Sequence, residues 1–559
     1  MDVNQIPIHR LGQALLRPLA LLIIFSLGLL LPLPLLDHPL HHDEALYAYW
    51  ARLISSGLDP MLDTVPVDKP PLFIYLLALA FKWLGVSDIV ARLPSLLAHL
   101  AMIGLTFKLG QALYDERVGI LAALLAAISP FNILFAPTAF TDPLMVAFVL
   151  LAAWFASLPK EPKGHAVRKP IWAGLALGLA AAAKQQAVFF LPLLLGLVFL
   201  AQPGQARRLK PHPLTNPLLQ CLLSFSLGLV IPLIWDLNRS QRPGFWRQSS
   251  LSYGRLASAA PQLADRFISF IDLLTFVTAA PILNLIWLIG LPLLLLGGRF
   301  APPSQTSQRN ADWLLVSFCL LFILLHALFT FQVWDRYLLG LVPLLCLLLA
   351  RIMHLPDIFL NAWPVLKIRL GTSPAASLGA SLGARPSWSP RPALSPVISS
   401  LRNEPPLTPP VLSTVFAFIL ILTSMAAPVR AAVNAGYPLG GDHGAFAGAK
   451  EAAAYLRQHA GANVTLYHHR LGAHWRYYLF GFPYDLRFWQ SPADLAQQAL
   501  ANAHGSQYIG FPPWQSTTLV QLALADAGLT LTPVFKTVRP NGAPAIFLYK
   551  IEVSPCGPG

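Results

Sequence analysis

Residues 119–158 read GILAALLAAISPFNILFAPTAFTDPLMVAFVLLAAWFASL, two apolar blocks that meet at the polar step Thr141-Asp142. Blocks of this length cross much of a hydrocarbon layer of about 30 Å when they are helical. Similar blocks recur along the 559 residues, of which 55% are hydrophobic and only 11% charged. Because a soluble globular chain carries about 25% charged residues, the sequence predicts a polytopic membrane protein.

Roughly eleven apolar segments are candidate transmembrane helices. They are residues 18–36, 90–110, 119–136, 141–158, 171–186, 187–201, 218–236, 279–297, 313–331, 337–353 and 411–428. The predicted fold class is an all-α polytopic membrane domain with a small α/β soluble domain at its C-terminus.

The net charge of +14 does not indicate nucleic-acid binding, because Lys and Arg lie mostly in short loops between the apolar blocks. The basic segments 160–169 and 205–210 are expected in the cytoplasm. A single helix between them would place Lys184 near mid-membrane, at a cost of about 2.5–3.5 kcal/mol. We therefore predict a hairpin that turns at 184–186 on the outer face, with residues 37–89 also outside.

The C-terminal third changes composition. The predicted domains are a membrane domain (1–370), a flexible Pro/Ser-rich cytoplasmic linker (371–410), a last transmembrane helix (411–430) and an extracytoplasmic α/β domain (431–559). In the last domain we predict helices at 445–459 and 492–503, and strands at 463–467, 506–511 and 545–551. Its sequence has neither a glycine-rich phosphate loop nor paired metal-ligand spacing, so we interpret it as a structural or acceptor-docking module.

Polar residues collect beside the apolar blocks, and the predicted topology brings them all to the outer face. They are Asp43-Glu44, Asp68-Lys69-Pro70-Pro71, Thr141-Asp142-Pro143, Lys184-Gln185-Gln186 and Trp334-Asp335-Arg336-Tyr337. Acidic and basic residues that converge at one membrane surface indicate a site for an anionic, partly lipidic substrate.

Each of these residues also has a simpler interpretation. Asp43 lies in the first turn of a predicted interfacial helix, 41–54, where a carboxylate could act only as a helix cap. Lys69 could hold a phosphate or extend to the interface as a snorkelling side chain. The adjacent His41 and His42 do not share a helix face, which favours a solvated pair over a metal site.

Six segments in chain order match a known family pattern. They are Asp43-Glu44-Ala45 with Arg52, Val67-Asp68-Lys69-Pro70-Pro71-Leu72, Gly85 to Ser95 with Ala91-Arg92-Leu93-Pro94, Thr141-Asp142-Pro143-Leu144, Gly174-Leu175 with Ala183-Lys184, and Arg336-Tyr337-Leu338-Leu339. Together they resemble the GT-C membrane glycosyltransferases, in the branch of protein O-mannosyltransferases and the lipid A aminoarabinose transferase. The sequence departs from the pattern at Asp68, Gln185 and Gly340, where Glu, Gly and Pro are usual.

The resemblance implies inverting transfer of a sugar from a polyprenyl-phosphate-sugar donor to a hydroxyl of a glycan, lipid or protein acceptor outside the cell membrane. Such a displacement needs a base for the acceptor proton and cations for the leaving phosphate. The candidate base is Asp43, with Asp68 or Glu44 as second choices, and burial is expected to raise its pKa. The candidate phosphate ligands are Lys69, Arg92, Lys184 and Arg336, and the supporting residues are Asp142 and Arg52.

The sequence shows no group of metal ligands. Some relatives of this fold use a divalent cation, so the use of one by this protein is left open. A transporter or flippase for lipid-linked sugars is the alternative function, but it requires polar residues along a mid-membrane path and two related halves, and neither is evident. A purely structural membrane scaffold would leave the acidic-Lys-Pro-Pro segment unexplained. The sugar and the acceptor are not identified by the sequence.

Overall fold

A computed structural model describes residues 8–159, 168–202, 216–239, 244–253, 257–297, 305–356, 410–502, 505–539 and 541–554. The predicted linker, apart from Pro410, lies outside these residues. So do the two basic loops, apart from residues 168 and 169. The structure therefore does not test the orientation that those loops predict.

The membrane part is built from sixteen α-helices in the described residues. They are α1 (Ile8–Leu30), α2 (His42–Ser55), α3 (Pro71–Leu84), α4 (Asp88–Leu113), α5 (Glu116–Ile128), α6 (Pro130–Phe135), α7 (Asp142–Ser157), α8 (Arg168–Ala183), α9 (Leu191–Leu200), α10 (Pro217–Leu237), α11 (Phe245–Tyr253), α12 (Leu263–Leu274), α13 (Pro281–Gly297), α14 (Thr306–Leu328), α15 (Val342–Met353) and α16 (Pro410–Val433). Short 3₁₀ turns precede α9, at Gln185–Phe190, and α15, at Asp335–Leu341.

Six helices of the described chain are long and apolar enough to cross a membrane, or seven if a pair bent by 118° between α12 and α13 is one span. Four shorter apolar helices accompany them, at Pro71–Leu84, Asp142–Ser157, Lys169–Ala183 and Gln185–Leu200. The predicted fold class is confirmed, whereas the count of about eleven spans is not.

Two predicted spans contain breaks that have local causes. Pro130 begins α6 and separates it from α5, because proline has no N–H to donate within a continuous helix. The segment after α8 tightens into the 3₁₀ turn before α9 begins. The chain therefore leaves helical geometry at Lys184, as the predicted hairpin requires.

Helices α8 and α10 approach closely because glycines face each other. A Cβ atom on Gly178 would lie 2.6 Å from the Cα of Gly228, so neither position admits a larger residue without movement. Small residues at such crossings allow close backbone packing in membrane proteins. The contact holds the C-terminal end of α8, and hence Lys184, against the rest of the helices.

The C-terminal region is a small α/β unit. Its helices are α17 (Ala449–His459), α18 (Gly472–Tyr478), α19 (Pro492–Leu500) and α20 (Thr518–Asp526), and its strands are β1 (Val464–His468), β2 (Asp485–Phe488), β3 (Ser506–Phe511), β4 (Leu529–Val538) and β5 (Pro544–Val553). The sheet order is β2-β1-β3-β5-β4, with β1 parallel to β2 and β3 and the other pairs antiparallel. The five predicted elements are present, whereas α18, α20, β2 and β4 were not predicted.

Helix α18 attaches this unit to the membrane part through α2 and the loop before it. Nε2 of His474 donates to the carbonyl of Leu40 at 3.0 Å, and Arg52 on α2 donates to the carbonyl of Tyr477 at 2.7 Å. Tyr478 donates to the Asp88 carboxylate at the start of α4, at 3.2 Å. The C-terminal unit is thus bound directly to α2, to the loop before it and to the start of α4.

The contact made by His474 predicts a pH-dependent stability. Burial lowers the pKa of His474 to about 3, while the unfolded chain takes up that proton near pH 6.5. The unfolded state therefore binds more protons between those values, and this contribution to stability is lost as pH falls from about 6.5. We expect the apparent Tm of purified protein to fall between pH 7 and pH 4, and His474→Gln to reduce that slope.

The glutamine retains a donor for Leu40 but does not titrate in this range. His459→Gln is the matched control, because His459 is exposed on α17 and should leave the slope unchanged. An equal slope in the wild type and in His474→Gln would contradict the assignment.

Candidate active site

A cavity of about 390 Å³ joins four of the five polar segments that the sequence singles out. We call it the donor cavity. Its lining includes Tyr47, Lys69, Asp142, Lys184, Gln186, Phe189, Trp246, Ser249, His326, Phe331, Arg336 and Tyr337. Three cations thus face one space whose remaining walls are largely aromatic.

Each cation of the donor cavity is already held by a carboxylate. Nζ of Lys69 lies 3.0 Å from Oδ2 of Asp68, and Lys184 makes an ion pair with Asp142. Nη1 of Arg336 lies 2.7 Å from Oδ2 of Asp43. The pairs hold the cations in place, because an unpaired charge would be costly at such burial.

The three cations all lie at helix ends. Lys69 directly precedes the two prolines that open α3, Lys184 follows the last residue of α8, and Arg336 lies in the 3₁₀ turn before α15. Charged groups are tolerated there because helix ends lie beyond or at the edge of the apolar segment. The predicted convergence of Lys69, Lys184 and Arg336 is therefore present in the structure.

Asp43 differs from its predicted state. Burial alone would raise the pKa of Asp43, but Arg336, His41 and Lys69 outweigh that effect and lower the pKa to about 2. The expectation of a raised pKa is wrong, because it considered burial and not the paired guanidinium. Asp43 is therefore ionised at neutral pH, and its carboxylate accepts a hydrogen bond from Arg336.

Glu44, the next residue, has a different environment. It is 2% exposed and accepts from Nε and Nη2 of Arg92 at 3.1 and 3.0 Å. It also accepts from the backbone N–H groups of His41 and Ala139, each at 2.7 Å. These four bonds occupy the carboxylate, and it does not line the donor cavity. We therefore do not retain Glu44 as a candidate base.

Arg92 is likewise occupied, so its predicted role as a phosphate ligand is not supported by its position. Besides Glu44, its guanidinium donates to the carbonyls of Leu36 and His38 at 2.7 Å and of Pro39 at 3.2 Å. The sequence could not show this, because all three carbonyls belong to a loop more than fifty residues away. Arg92 instead joins α4 to the loop that precedes α2.

Arg52 and Asp68 also lie outside the donor cavity. Arg52 packs over the rings of Tyr477 and Phe480, at 5.7 and 4.4 Å from their centres, and joins α2 to the C-terminal unit. Asp68 pairs with Lys69 from the other side of the cavity wall, where it lines a second cavity. Asp142 forms an ion pair with Lys184, and its supporting role stays a prediction.

Several residues of the cavity were missed by sequence reasoning. Helix α11 supplies Trp246 and Ser249, and Ser249 donates to the carbonyl of Asp68 at 2.9 Å. His326 stacks on Phe322 with ring centres 4.2 Å apart. Among these residues, only His326 could have been found from the sequence, because a histidine within an apolar span is costly and marks functional sites. Helix α11 is a short polar segment without a motif.

Metal ligands are not grouped in the described part of the chain. There, no set of three or more His, Cys, Asp or Glu side chains could hold a metal ion.

Comparisons with known proteins agree with this geometry. Residues 68–235 match the family model described as dolichyl-phosphate-mannose-protein mannosyltransferase. The structure of ArnT from Cupriavidus metallidurans bound to undecaprenyl phosphate is similar, with a TM-score of 0.58 and 16% identity over 98% of this chain and 99% of that one. The apo oligosaccharyltransferase of Archaeoglobus fulgidus has a TM-score of 0.51 and 12% identity over 97% of this chain and 75% of that one. No curated protein sequence matches significantly.

The family-model match over residues 68–235 and the shared fold support assignment to the GT-C superfamily of membrane glycosyltransferases. The predicted superfamily and the predicted enzyme class are thus confirmed, and the protein is a multi-pass membrane protein. At these identities the structural likeness defines the fold, and the residues of the donor cavity must carry the argument about substrates.

The contrast between Asp43 and Glu44 predicts different effects for neighbouring substitutions. Glu44→Ala leaves the Arg92 charge buried without its partner, and breaking such a pair costs about 3–5 kcal/mol. We expect a clearly lowered apparent Tm and a poor yield of folded protein. Asp43→Ala should lower the Tm less, because Asp43 is partly exposed, with 24% of its side chain accessible.

The control is a double variant, Glu44→Ala with Arg92→Met, which removes both charges. It should recover part of the stability that Glu44→Ala loses, since the penalty comes from the unpaired guanidinium. Equal Tm values for Glu44→Ala and Asp43→Ala would show that the pair is not the structural contact described here.

Proposed function

We propose that the protein transfers a sugar from a polyprenyl-phosphate-sugar donor to a hydroxyl acceptor, with inversion, on the outer face of the membrane. The observation that carries the proposal is the grouping of Lys69, Lys184 and Arg336 around a cavity with aromatic walls. Cations bind the phosphate, and apolar rings accept the adjoining lipid chain. A site for a polar, uncharged ligand would not need three cations.

The donor phosphate binds between the three cations and competes with their carboxylates. Lys69 and Lys184 act as point charges, while the planar guanidinium of Arg336 can donate two parallel bonds to phosphate oxygens. Asp142 keeps Lys184 directed into the cavity. As the bond from the anomeric carbon to the phosphate oxygen breaks, the phosphate gains charge, and these fixed cations stabilise it.

Asp43 is our proposed general base, with Asp68 as the second candidate. The acceptor oxygen forms a bond to the anomeric carbon opposite the departing phosphate, which leaves with the bonding electron pair. The acceptor proton moves to the carboxylate. A phosphate that shares Arg336 weakens its hold on Asp43, so donor binding should raise the pKa of Asp43 and make it a better base.

The nature of the donor is supported by a structural relative. The ArnT structure that shares this fold was determined with undecaprenyl phosphate. The chain spans nearly the whole of that relative. The identity of the sugar is not part of the proposal.

Asp43→Asn provides the test of the base. The amide keeps the shape of the carboxylate but cannot accept the proton, so transfer in a single turnover should fall by about 10²–10⁴-fold. Binding of undecaprenyl phosphate should persist, because the cations remain. Near wild-type transfer by Asp43→Asn would reduce Asp43 to a helix cap and direct attention to Asp68.

Lys69→Ala and Lys184→Ala form the complementary pair of variants. Both should weaken binding of undecaprenyl phosphate as well as slow transfer, since a cation acts on the ground state and on the transition state. Lys108→Ala is the matched control, because Lys108 lies on α4 and does not line the cavity. Unchanged phosphate affinity in both active-site variants would contradict the proposed donor site.

The outer-face location has a separate test by single-cysteine labelling in a cysteine-free background. Leu58 is 70% exposed in the first outer loop and Val538 is 60% exposed on β4. Cysteines at both positions should react with a membrane-impermeant maleimide in intact cells, and a cysteine at position 163 should react only after permeabilisation. Labelling at 163 in intact cells would reverse the orientation.

A further inference from the structure

A second cavity, of about 600 Å³, lies against the wall of the donor cavity. We call it the polar cavity. Its lining includes Tyr49, Trp50, Thr64, Asp68, Gln248 and Arg476. It combines aromatic rings with a carboxylate, an amide and a guanidinium, and it lacks the two lysines that line the donor cavity.

The two cavities share the elements that separate them. Helix α2 contributes Tyr47 to the donor cavity and Tyr49 to the polar cavity. Neighbouring residues of the first outer loop divide in the same way, since Lys69 faces the donor cavity and Asp68 the polar one. Helix α11 likewise contributes residues to both cavities. A ligand in the polar cavity would therefore lie next to the donor phosphate site, separated by the Asp68–Lys69 ion pair.

Arg476 is the distinctive group of the polar cavity. It lies on α18 of the C-terminal unit and is partly buried. Across the described ranges of the chain, its guanidinium has no hydrogen-bond or ion-pair partner, in contrast to the three cations of the donor cavity. An arginine in that state beside a cavity favours a carboxylate or phosphate of a ligand, which it can bind through two parallel bonds.

The other side chains suit a saccharide. Sugar hydroxyls both donate and accept, and the carboxylate of Asp68 and the amide of Gln248 supply the matching acceptors and donors. The partly buried ring of Tyr49 offers a flat surface to the C–H face of a pyranose.

We propose that the polar cavity is the acceptor site and that it takes an anionic saccharide, whose phosphate or carboxylate group binds Arg476. This inference rests on the function proposed above and names its acceptor class. It also gives the C-terminal unit a part in recognition, because Arg476 comes from α18. The acceptor hydroxyl would approach the donor from the Asp68 side of the wall.

Binding of defined saccharides to the full-length protein tests this inference. The probes are maltose 1-phosphate, a glucuronic acid-containing disaccharide and neutral maltose, measured by saturation-transfer NMR with and without saturating undecaprenyl phosphate. We expect at least one anionic probe to bind about tenfold more tightly than maltose, and undecaprenyl phosphate not to displace it. Which anionic probe binds distinguishes phosphate from carboxylate.

The variants are Arg476→Gln, Arg476→Lys and the control Arg487→Gln, which changes an exposed arginine on β2. Arg476→Gln should lose about tenfold in affinity for the anionic probe, Arg476→Lys should retain part of it, and Arg487→Gln should match the wild type. Equal affinity for the three probes, no effect of Arg476→Gln, or displacement by undecaprenyl phosphate would each overturn the inference. Competition for the site by a serine-containing peptide with the same affinity as the saccharide would also overturn the inference.

The donor site is measured in the same samples. Normal binding of undecaprenyl phosphate together with no anionic-saccharide binding would refute the acceptor site and leave the proposed function standing. Failure of the wild type to bind undecaprenyl phosphate would instead count against the proposed function.

Discussion

The buried ion pair between Glu44 and Arg92 is the contact on which the segment between α1 and α4 depends. It joins α2 to α4, and its remaining bonding capacity reaches the loop before α2 and the backbone at Ala139. A buried pair of this kind contributes little net stability, since desolvation offsets most of the attraction. Its value here is geometric, because alternative arrangements of the loop would leave an unpaired charge.

The placement of Asp43 follows from this arrangement. Successive residues of a helix point about 100° apart, so when Glu44 faces Arg92 at the core of the loop, Asp43 must face elsewhere. It faces Arg336, at the edge of the donor cavity. Glu44 and Asp43 are therefore neighbours in sequence with different surroundings, and Glu44 holds the helix that presents Asp43, the proposed base.

The membrane fold and the convergence of Lys69, Lys184 and Arg336 were predictable because charged residues are rare in this chain. Each charged residue beside an apolar block is therefore informative. The roles of Arg92 and Arg52 were not predictable, since their partners are backbone carbonyls of distant loops that no local pattern reveals. The pKa of Asp43 was mispredicted because its partner Arg336 lies 293 residues away in the sequence. Helix α11 and strands β2 and β4 lack any strong periodic or motif signal, so their part in the site and in the sheet emerges only from the structure.

Helix α18 links the two cavities to the C-terminal unit. Its His474 and the carbonyl of Tyr477 bind the loop before α2 and α2 itself, and between these two contacts it carries Arg476 to the polar cavity. Arg476 has no hydrogen-bond or ion-pair partner within the described part of the chain, and a unit that served only to cover the membrane part would not need such a guanidinium beside the donor cavity. Helix α2 forms part of both cavities and is held by α18. In the proposed function, a single short helix therefore connects the proposed acceptor site to the helix that carries Asp43, the proposed base.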